Sequence, residues 1–179
     1  MTSGDLRALI DTTAAAHGLD PAVVRALVQV ESSGNRWAWN PEPRYRYFWD
    51  VMENRPFRPV SALEIANQFP PSDFHALAGD DDNEWWAQQA SWGLMQIMGA
   101  VARELGFTGP YLTELCDPQT NLHYGCLKLA TNLPWAKGDL RSALAAYNGG
   151  RAGNSPGGAL RNAKYADKVL SRREAVVVA

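Results

Sequence analysis

The pattern of apolar residues is helical through much of the chain, and one apolar stripe ends in a glutamate. In "DPAVVRALVQVESSG" the Asp-Pro pair is typical of an N-cap followed by proline at the first helical position, and the last glycine is a stop signal. Three apolar residues precede Glu31 by seven, four and three positions, which places them on its face of a helix: Val24, Leu27 and Val28.

Glu31 therefore lies where another apolar residue is expected. A carboxyl group there loses water and faces the negative end of the helix dipole, and both effects raise its pKa. A carboxyl that keeps its proton near neutral pH can act as a general acid. The alternative is a buried structural acid paired with an arginine such as Arg25 or Arg36.

The rest of the pattern predicts helices at both ends of the chain and an irregular middle. "SGDLRALIDTTAAAHG" reads as a helix capped by Ser3 and stopped by Gly18. Helical patterns return in "GAVARELG", "DPQTNLHYGCLKLATNL", "GDLRSALAAYNGG" and "GGALRNAKYADKVLSRRE". We expect a mainly α, single domain over residues 1–179.

Prolines divide the middle of the chain, residues 37–92, which holds 12 of the 18 aromatic residues. Short helices are expected in "SALEIANQF" and "NEWWAQQAS", and an exposed acidic turn in "GDDDNE". We interpret residues 41–90 as a loop-rich aromatic insert.

Composition limits the choice of function. The 179 residues carry a net charge of -2, which argues against an electrostatic grip on nucleic acid or on an anionic membrane. Neither a signal peptide nor a membrane span is apparent, so we expect synthesis in the cytoplasm without membrane insertion. Cys116 and Cys126 are expected to be reduced thiols, because a helix holds them too far apart to bridge.

Four short motifs occur in order: "ESSGN", "SWGLMQI", "AAYNGG" and "KYADKVL". Together they resemble the catalytic domain of the soluble lytic transglycosylase family, over residues 19–40 and 91–170. The resemblance implies a lysozyme-like fold of the α+β type. It also implies cleavage of the β-1,4 bond between N-acetylmuramic acid and N-acetylglucosamine in peptidoglycan, with no metal and no organic cofactor.

The resemblance assigns roles to individual residues. It implies that Glu31 is the single catalytic acid and base, and that Ser32 assists near the reacting sugar. The cleft beside the acid would be lined by Gly93, Leu94, Met95 and Gln96. Tyr147 and Asn148 would hold the acid and the sugar, and Tyr165 would close the site from the last helix.

The residue chemistry agrees with this reading. A glycosidase that lets the substrate's own N-acetyl oxygen attack the anomeric carbon needs one carboxyl and neutral hydrogen-bonding neighbours. The sugar's 6-hydroxyl can then close an anhydro ring, with Glu31 as the base. Plainer structural roles stay open: helix-end residues for Ser32 and Ser33, core packing for Met95 and Tyr147, a structural amide for Gln96, and a turn for Asn148.

The insert departs from the family, because Gly93 follows Glu31 by 62 positions. Its aromatics could stack on sugar rings or form a small core, and we favour the core for most of Trp37, Trp39, Tyr45, Tyr47 and Trp49. A carboxylate near the sugar would make the enzyme a hydrolytic muramidase. The candidates for that carboxylate are Glu42, Asp50 and Glu53.

The sequence thus favours a monomeric peptidoglycan lytic transglycosylase, with a muramidase as the alternative. We expect a phage endolysin that reaches the periplasm through a phage-made pore. A rival of another class is a non-catalytic glycan-binding or virion structural protein. The retained Glu31 favours catalysis over that rival.

Overall fold

A computed structural model describes residues 2–67 and 69–178, and the side chains as far as residue 173. The described helices are α1 (Ser3–Ala16), α2 (Pro21–Glu31), α3 (Ala62–Ala66), α4 (Asp81–Gln88), α5 (Gly99–Glu104), α6 (Pro118–Trp135), α7 (Leu140–Gly149) and α8 (Ala163–Val178). The described strands are β1 (Trp39–Pro41), β2 (Trp49–Asp50), β3 (Arg55–Pro56), β4 (Ala90–Trp92) and β5 (Ile97–Met98). The mainly α prediction is confirmed.

The chain forms two compact units. The first joins Met1–Gly34 to Gly125–Ala179, and the second is Asn35–Tyr124, so the boundary in the chain falls within α6. The predicted insert, residues 41–90, lies wholly in the second unit. The single domain over residues 1–179 stays a prediction.

In the first unit, α1, α2 and α7 begin with N-caps whose side chains accept hydrogen bonds from the backbone. α8 packs against α2 and α7, and α1 packs against α2. The predicted cap at Asp20 is confirmed, since its side chain accepts a hydrogen bond from the backbone N–H of Ala22. The predicted cap at Ser3 is wrong by one residue. Thr2 caps α1 because it forms a capping box with Asp5, in which each side chain accepts from the other's backbone N–H.

The last helix begins later than predicted. The glycine-rich stretch before α8 forms turns and an isolated antiparallel bridge between Asn154 and Leu160, so α8 starts at Ala163. In the second unit the predicted helix in "SALEIANQF" is confirmed only over α3, and Gln68 lies outside the described residues.

The second unit contains a small sheet with the strand order β1-β4-β5, antiparallel throughout. Trp39 pairs with Trp92 across β1 and β4, and Ser91 pairs with Met98 across β4 and β5. β2 and β3 form a separate two-stranded ribbon. These strands are too short to give an alternating pattern, which is why the sequence did not predict them.

The insert has an aromatic core of its own. The rings of Phe48 and Trp85 stack with centroids 4.0 Å apart, and Phe74 meets Trp85 edge-on at 5.0 Å. The insert does have a small core, but the prediction of its members is wrong, because none of the five expected aromatic residues belongs to it. Trp37 and Trp39 are mostly exposed, while Tyr45, Tyr47 and Trp49 are half-buried.

The "GDDDNE" segment is not an exposed turn. Asp80 caps α4, and the helix already begins at Asp81. Glu84 faces inward and forms a two-pronged ion pair with Arg103, with both nitrogen–oxygen distances 2.8 Å. Its charge is acceptable there because the partner guanidinium is buried with it.

Two further expectations concern the cysteines and the membrane. Cys116 and Cys126 are free thiols, as predicted. Among the described residues, no helix is both long and apolar enough to cross a bilayer.

Candidate active site

Glu31 lies at the C-terminal end of α2 in the first unit. Val24 and Leu27 have no exposed surface, and Val28 is 3% exposed, so the predicted apolar stripe is confirmed. The backbone N–H of Ser32 still makes a helical hydrogen bond to the carbonyl of Val28, and the helix ends because Ser33 and Gly34 then adopt positive φ angles. Glu31 is therefore held at the rim of a packed helical face.

The partner of Glu31 is a tyrosine. Tyr165 projects from α8, which packs on α2, and its hydroxyl donates a hydrogen bond to Oε1 of Glu31. The alternative pairing with an arginine is not what the structure shows. Arg25 forms an ion pair with Asp11, and the guanidinium of Arg36 lies 4.3 Å from the centroid of the Trp37 ring.

Burial raises the pKa of the Glu31 carboxyl above its ordinary value. The hydrogen bond from Tyr165 and the positive charges of Lys128 and Lys168 act in the opposite direction, but they do not cancel the effect of burial. The direction predicted from the apolar stripe is confirmed. A raised pKa favours the protonated form of the carboxyl, which is the form that a general acid requires.

Tyr147 lies in α7 and is 2% exposed. Burial raises the pKa of its hydroxyl, and the negative charge of Glu31 raises it further. The ammonium nitrogen of Lys128 lies 4.4 Å from the centroid of the Tyr147 ring. Tyr147 is therefore both a core aromatic and an electrostatic neighbour of the acid.

Asn148 is the second-last residue of α7 and is exposed. Its Oδ1 accepts a hydrogen bond of 2.8 Å from Nδ2 of Asn162. The backbone N–H of Asn162 in turn donates to Oδ1 of Asn154, whose Nδ2 donates to the carbonyl of Gly150 at 2.8 Å. Sequence analysis missed Asn154 and Asn162, although their place on either side of a glycine-rich loop was a usable signal.

Ser32 has a local role at the end of α2. Its Oγ donates to the carbonyl of Val28 and accepts from the backbone N–H of Gly34, both at 3.2 Å. This supports the reading as a helix-end residue, and the assistance that the resemblance implies near the sugar stays a prediction.

The stretch from Gly93 to Gln96 forms the turn between β4 and β5 in the second unit. Gly93 has a φ of +70°, and a Cβ atom there would lie 2.4 Å from Nδ2 of Asn121. Asn121 holds this turn, since Nδ2 donates to the carbonyl of Trp92 and Oδ1 accepts from the N–H of Met95, both at 2.7 Å. Nothing in the local sequence around Asn121 indicated that role.

The side chains of this turn are buried in the core or hydrogen-bonded within the second unit. Leu94 and Met95 have no exposed surface, which confirms core packing for Met95. Nε2 of Gln96 donates to the carbonyls of Ala38 and Gly93, and its Oε1 accepts from Oγ of Ser91. Substrate contact by Gly93, Leu94, Met95 and Gln96 stays a prediction.

Two of the three candidate carboxylates of the insert make local hydrogen bonds, and the third is exposed. Oε1 of Glu42 accepts from Nδ2 of Asn40 at 2.6 Å. Oδ1 of Asp50 accepts from the backbone N–H groups of Met52 and Glu53, so it stabilises the turn between β2 and β3. Glu53 is exposed. A role for any of them as a water-activating base stays untested.

Comparison with known proteins shows the family of the chain. The sequence model of the transglycosylase SLT domain matches residues 8–170. The chain therefore belongs to the SLT transglycosylase family, which is a family of enzymes, and the match extends through the insert.

A protein named "Transglycosylase" from Enterobacteria phage PRD1 is similar to part of the chain, with 38% identity over 78 residues. The alignment covers 44% of this chain and 26% of the phage protein. The chain thus matches about a quarter of the length of this curated relative.

Proposed function

We propose that this chain is a peptidoglycan lytic transglycosylase that cleaves the β-1,4 bond between N-acetylmuramic acid and N-acetylglucosamine and leaves a 1,6-anhydro end. The observation that carries the proposal is the Glu31 carboxyl, half-buried at the end of an apolar stripe and hydrogen-bonded by Tyr165. Membership of the SLT family supports the substrate class.

In the first step Glu31 acts as the general acid. Tyr165 donates to Oε1, which leaves the acidic proton on Oε2. Oε2 gives this proton to the glycosidic oxygen as its bond to the anomeric carbon breaks. The N-acetyl oxygen of the muramic acid residue attacks the same carbon from the other face, so that no second carboxylate is required.

In the second step Glu31 acts as the base. It removes the proton of the sugar's 6-hydroxyl, whose oxygen bonds to the anomeric carbon and releases the N-acetyl oxygen. Attack within one sugar is favoured by proximity. The hydrogen bond from Tyr165 and the charges of Lys128 and Lys168 lower the pKa of Glu31, so they stabilise the carboxylate that exists between the two steps.

We further propose that the chain degrades bacterial cell walls for a phage. The similarity to a phage protein named "Transglycosylase" supports this role. We expect a monomer acting on glycan strands in the periplasm.

The test is mass spectrometry of muropeptides from purified peptidoglycan. The proposed reaction gives ends lighter by one water than hydrolysed ends, and Glu31→Gln protein serves as the inactive control. Products that end mainly in reducing muramic acid would instead establish a muramidase. In that case, Glu42→Gln, Asp50→Asn and Glu53→Gln variants would identify the base. Absence of any soluble product would favour a non-catalytic role.

A further inference from the structure

Two adjoining cavities in the second unit share the side chains of Trp39 and Trp86. The larger has a volume of about 350 Å³ and is also lined by Trp92 and Tyr111. The smaller has a volume of about 240 Å³ and is also lined by Gln89. We call the two together the aromatic groove. Glu31 is not among the residues that line either cavity.

The groove presents aromatic faces to solvent. Trp39 is 57% exposed, Trp86 42% and Tyr111 50%, although large aromatic side chains are usually covered. The fold holds two of the rings that line the groove, Trp39 and Trp92. Trp39 lies opposite Trp92 in the β1-β4 register with ring centroids 6.2 Å apart, and Nε1 of Trp92 donates to the carbonyl of Ala87 at 2.9 Å. A set of held, exposed rings is typical of a binding site.

The charges around the groove favour a neutral ligand. Glu84 lines the larger cavity, but its carboxylate is paired with the buried guanidinium of Arg103. Glu42 lines the smaller cavity and accepts from Asn40, a neutral donor. Among the described lining residues there is no lysine or arginine, so the groove offers an anion no cationic partner.

A polar group in the wall of the groove lacks a partner. Gln89 is 2% exposed, and its Nε2 donates to the carbonyl of Trp85 at 3.2 Å. Its Oε1 is buried and has no hydrogen-bond donor among the described residues. Because buried polar atoms are normally satisfied, the wall of the groove holds an acceptor whose donor the described residues do not supply.

We propose that the aromatic groove binds an N-acetylhexosamine unit of a glycan strand. The C–H faces of a pyranose ring pack on indole rings, and an amide N–H or a hydroxyl supplies the donor that Gln89 lacks. A stem peptide is disfavoured because its carboxylates would meet Glu42 without a cation. The inference rests on the proposed function for the choice of substrate, but it concerns a site that the insert contributes, through Trp86 and Gln89.

The test uses the full-length Glu31→Gln protein, so that binding is measured without turnover. Tryptophan is labelled with ¹⁵N, and the indole N–H resonances are followed by NMR during titration with N-acetylchitotriose. The resonances of Trp39 and Trp86, assigned from Trp→Phe variants, are expected to shift and to saturate together. Trp86→Ala is expected to weaken binding reported by Trp39 about 3- to 10-fold, and Phe69→Ala, which removes another exposed aromatic of the insert, to leave it unchanged.

Three outcomes would overturn the inference. The first is that the Trp39 and Trp86 resonances do not shift when the sugar is added. The second is that a synthetic stem peptide shifts them and the sugar does not. The third is that the Trp86→Ala variant binds the sugar as tightly as the parent does. Failure of the proposed function would give a different result from failure of this inference. In that case the chain with Glu31 intact would release no muropeptides, while the aromatic groove still bound N-acetylchitotriose.

Discussion

The hydroxyl of Tyr165 donates a hydrogen bond to Oε1 of Glu31, although 134 positions of sequence separate the two residues. α8 packs on α2 and brings the tyrosine to the acid. Two effects then oppose each other at Glu31. Burial raises the pKa of its carboxyl, and the hydrogen bond from Tyr165 limits that rise.

Removing that hydroxyl should move the pH dependence of activity. The hydrogen bond lowers the pKa of Glu31, so Tyr165→Phe is expected to raise this pKa further. A general acid must be protonated at the start of the reaction, so the alkaline limb of the pH–rate profile should shift to higher pH. The maximal rate should fall, because the carboxylate between the two steps loses a donor. Tyr124→Phe is the matched control, and a variant whose alkaline limb does not move would show that Tyr165 leaves Glu31 unaffected.

Replacing the acid itself should nearly abolish catalysis. Glu31→Gln keeps the shape of the side chain but cannot donate a proton usefully, so lytic activity should fall by at least ~10²–10⁴-fold. Turbidity loss of outer-membrane-stripped cells is the readout, with circular dichroism as the check of the fold. More than a tenth of the original activity in the variant would disprove the assignment.

The same substitution should make the protein more stable at neutral pH. The pKa of Glu31 is raised on folding, so the folded state binds the proton more tightly. The resulting stability is fully present below the ordinary glutamate pKa of 4.5 and is lost as the pH rises through the folded value. Glu31→Gln carries no such loss, so its melting temperature should exceed that of the parent at pH 7 and approach it near pH 4. A difference between the two proteins that is independent of pH would contradict the raised pKa.

The ion pair between Glu84 and Arg103 should be essential for stability. Arg103→Met leaves a buried carboxylate without its partner and is expected to lower the free energy of unfolding by about 3–5 kcal/mol, measured by urea denaturation. Arg141→Met serves as the control, since it breaks the solvent-exposed pair with Asp167 and should cost far less. Equal losses of unfolding free energy in the two variants would show that burial does not determine how much the Glu84–Arg103 pair contributes to stability.

Gly93 should tolerate no side chain. Gly93→Ala and Gly18→Ala both place alanine at a positive φ, which costs roughly 1–2 kcal/mol by backbone strain alone. A Cβ atom at Gly18 meets nothing within 4 Å, whereas at Gly93 it collides with Asn121 and with the carbonyl of Leu115. Gly93→Ala should therefore cost a further ~1–3 kcal/mol in the free energy of unfolding. Equal costs at the two positions would show that the turn can move to make room.

The sequence by itself determined the helical framework and the place of the Glu31 carboxyl at the end of an apolar stripe. Caps such as Asp20 and the spacing of Val24, Leu27 and Val28 are local signals, because a helix brings residues three and four positions apart onto one face. They were enough to place Glu31 on a buried face and to give the direction of its pKa. The caps at Thr2 and Asp80 were missed by a residue or more, since several polar residues compete at each of these helix starts.

Only the tertiary structure decided which distant residues meet. The partner of Glu31, the role of Asn121 in the β4–β5 turn and the pairing of Glu84 with Arg103 all join residues many positions apart. Aromatic residues gave no local indication of their burial. Phe48 and Trp85 stack in a core while Trp39 and Trp86 line a groove, because packing against residues from other segments determines which rings are covered.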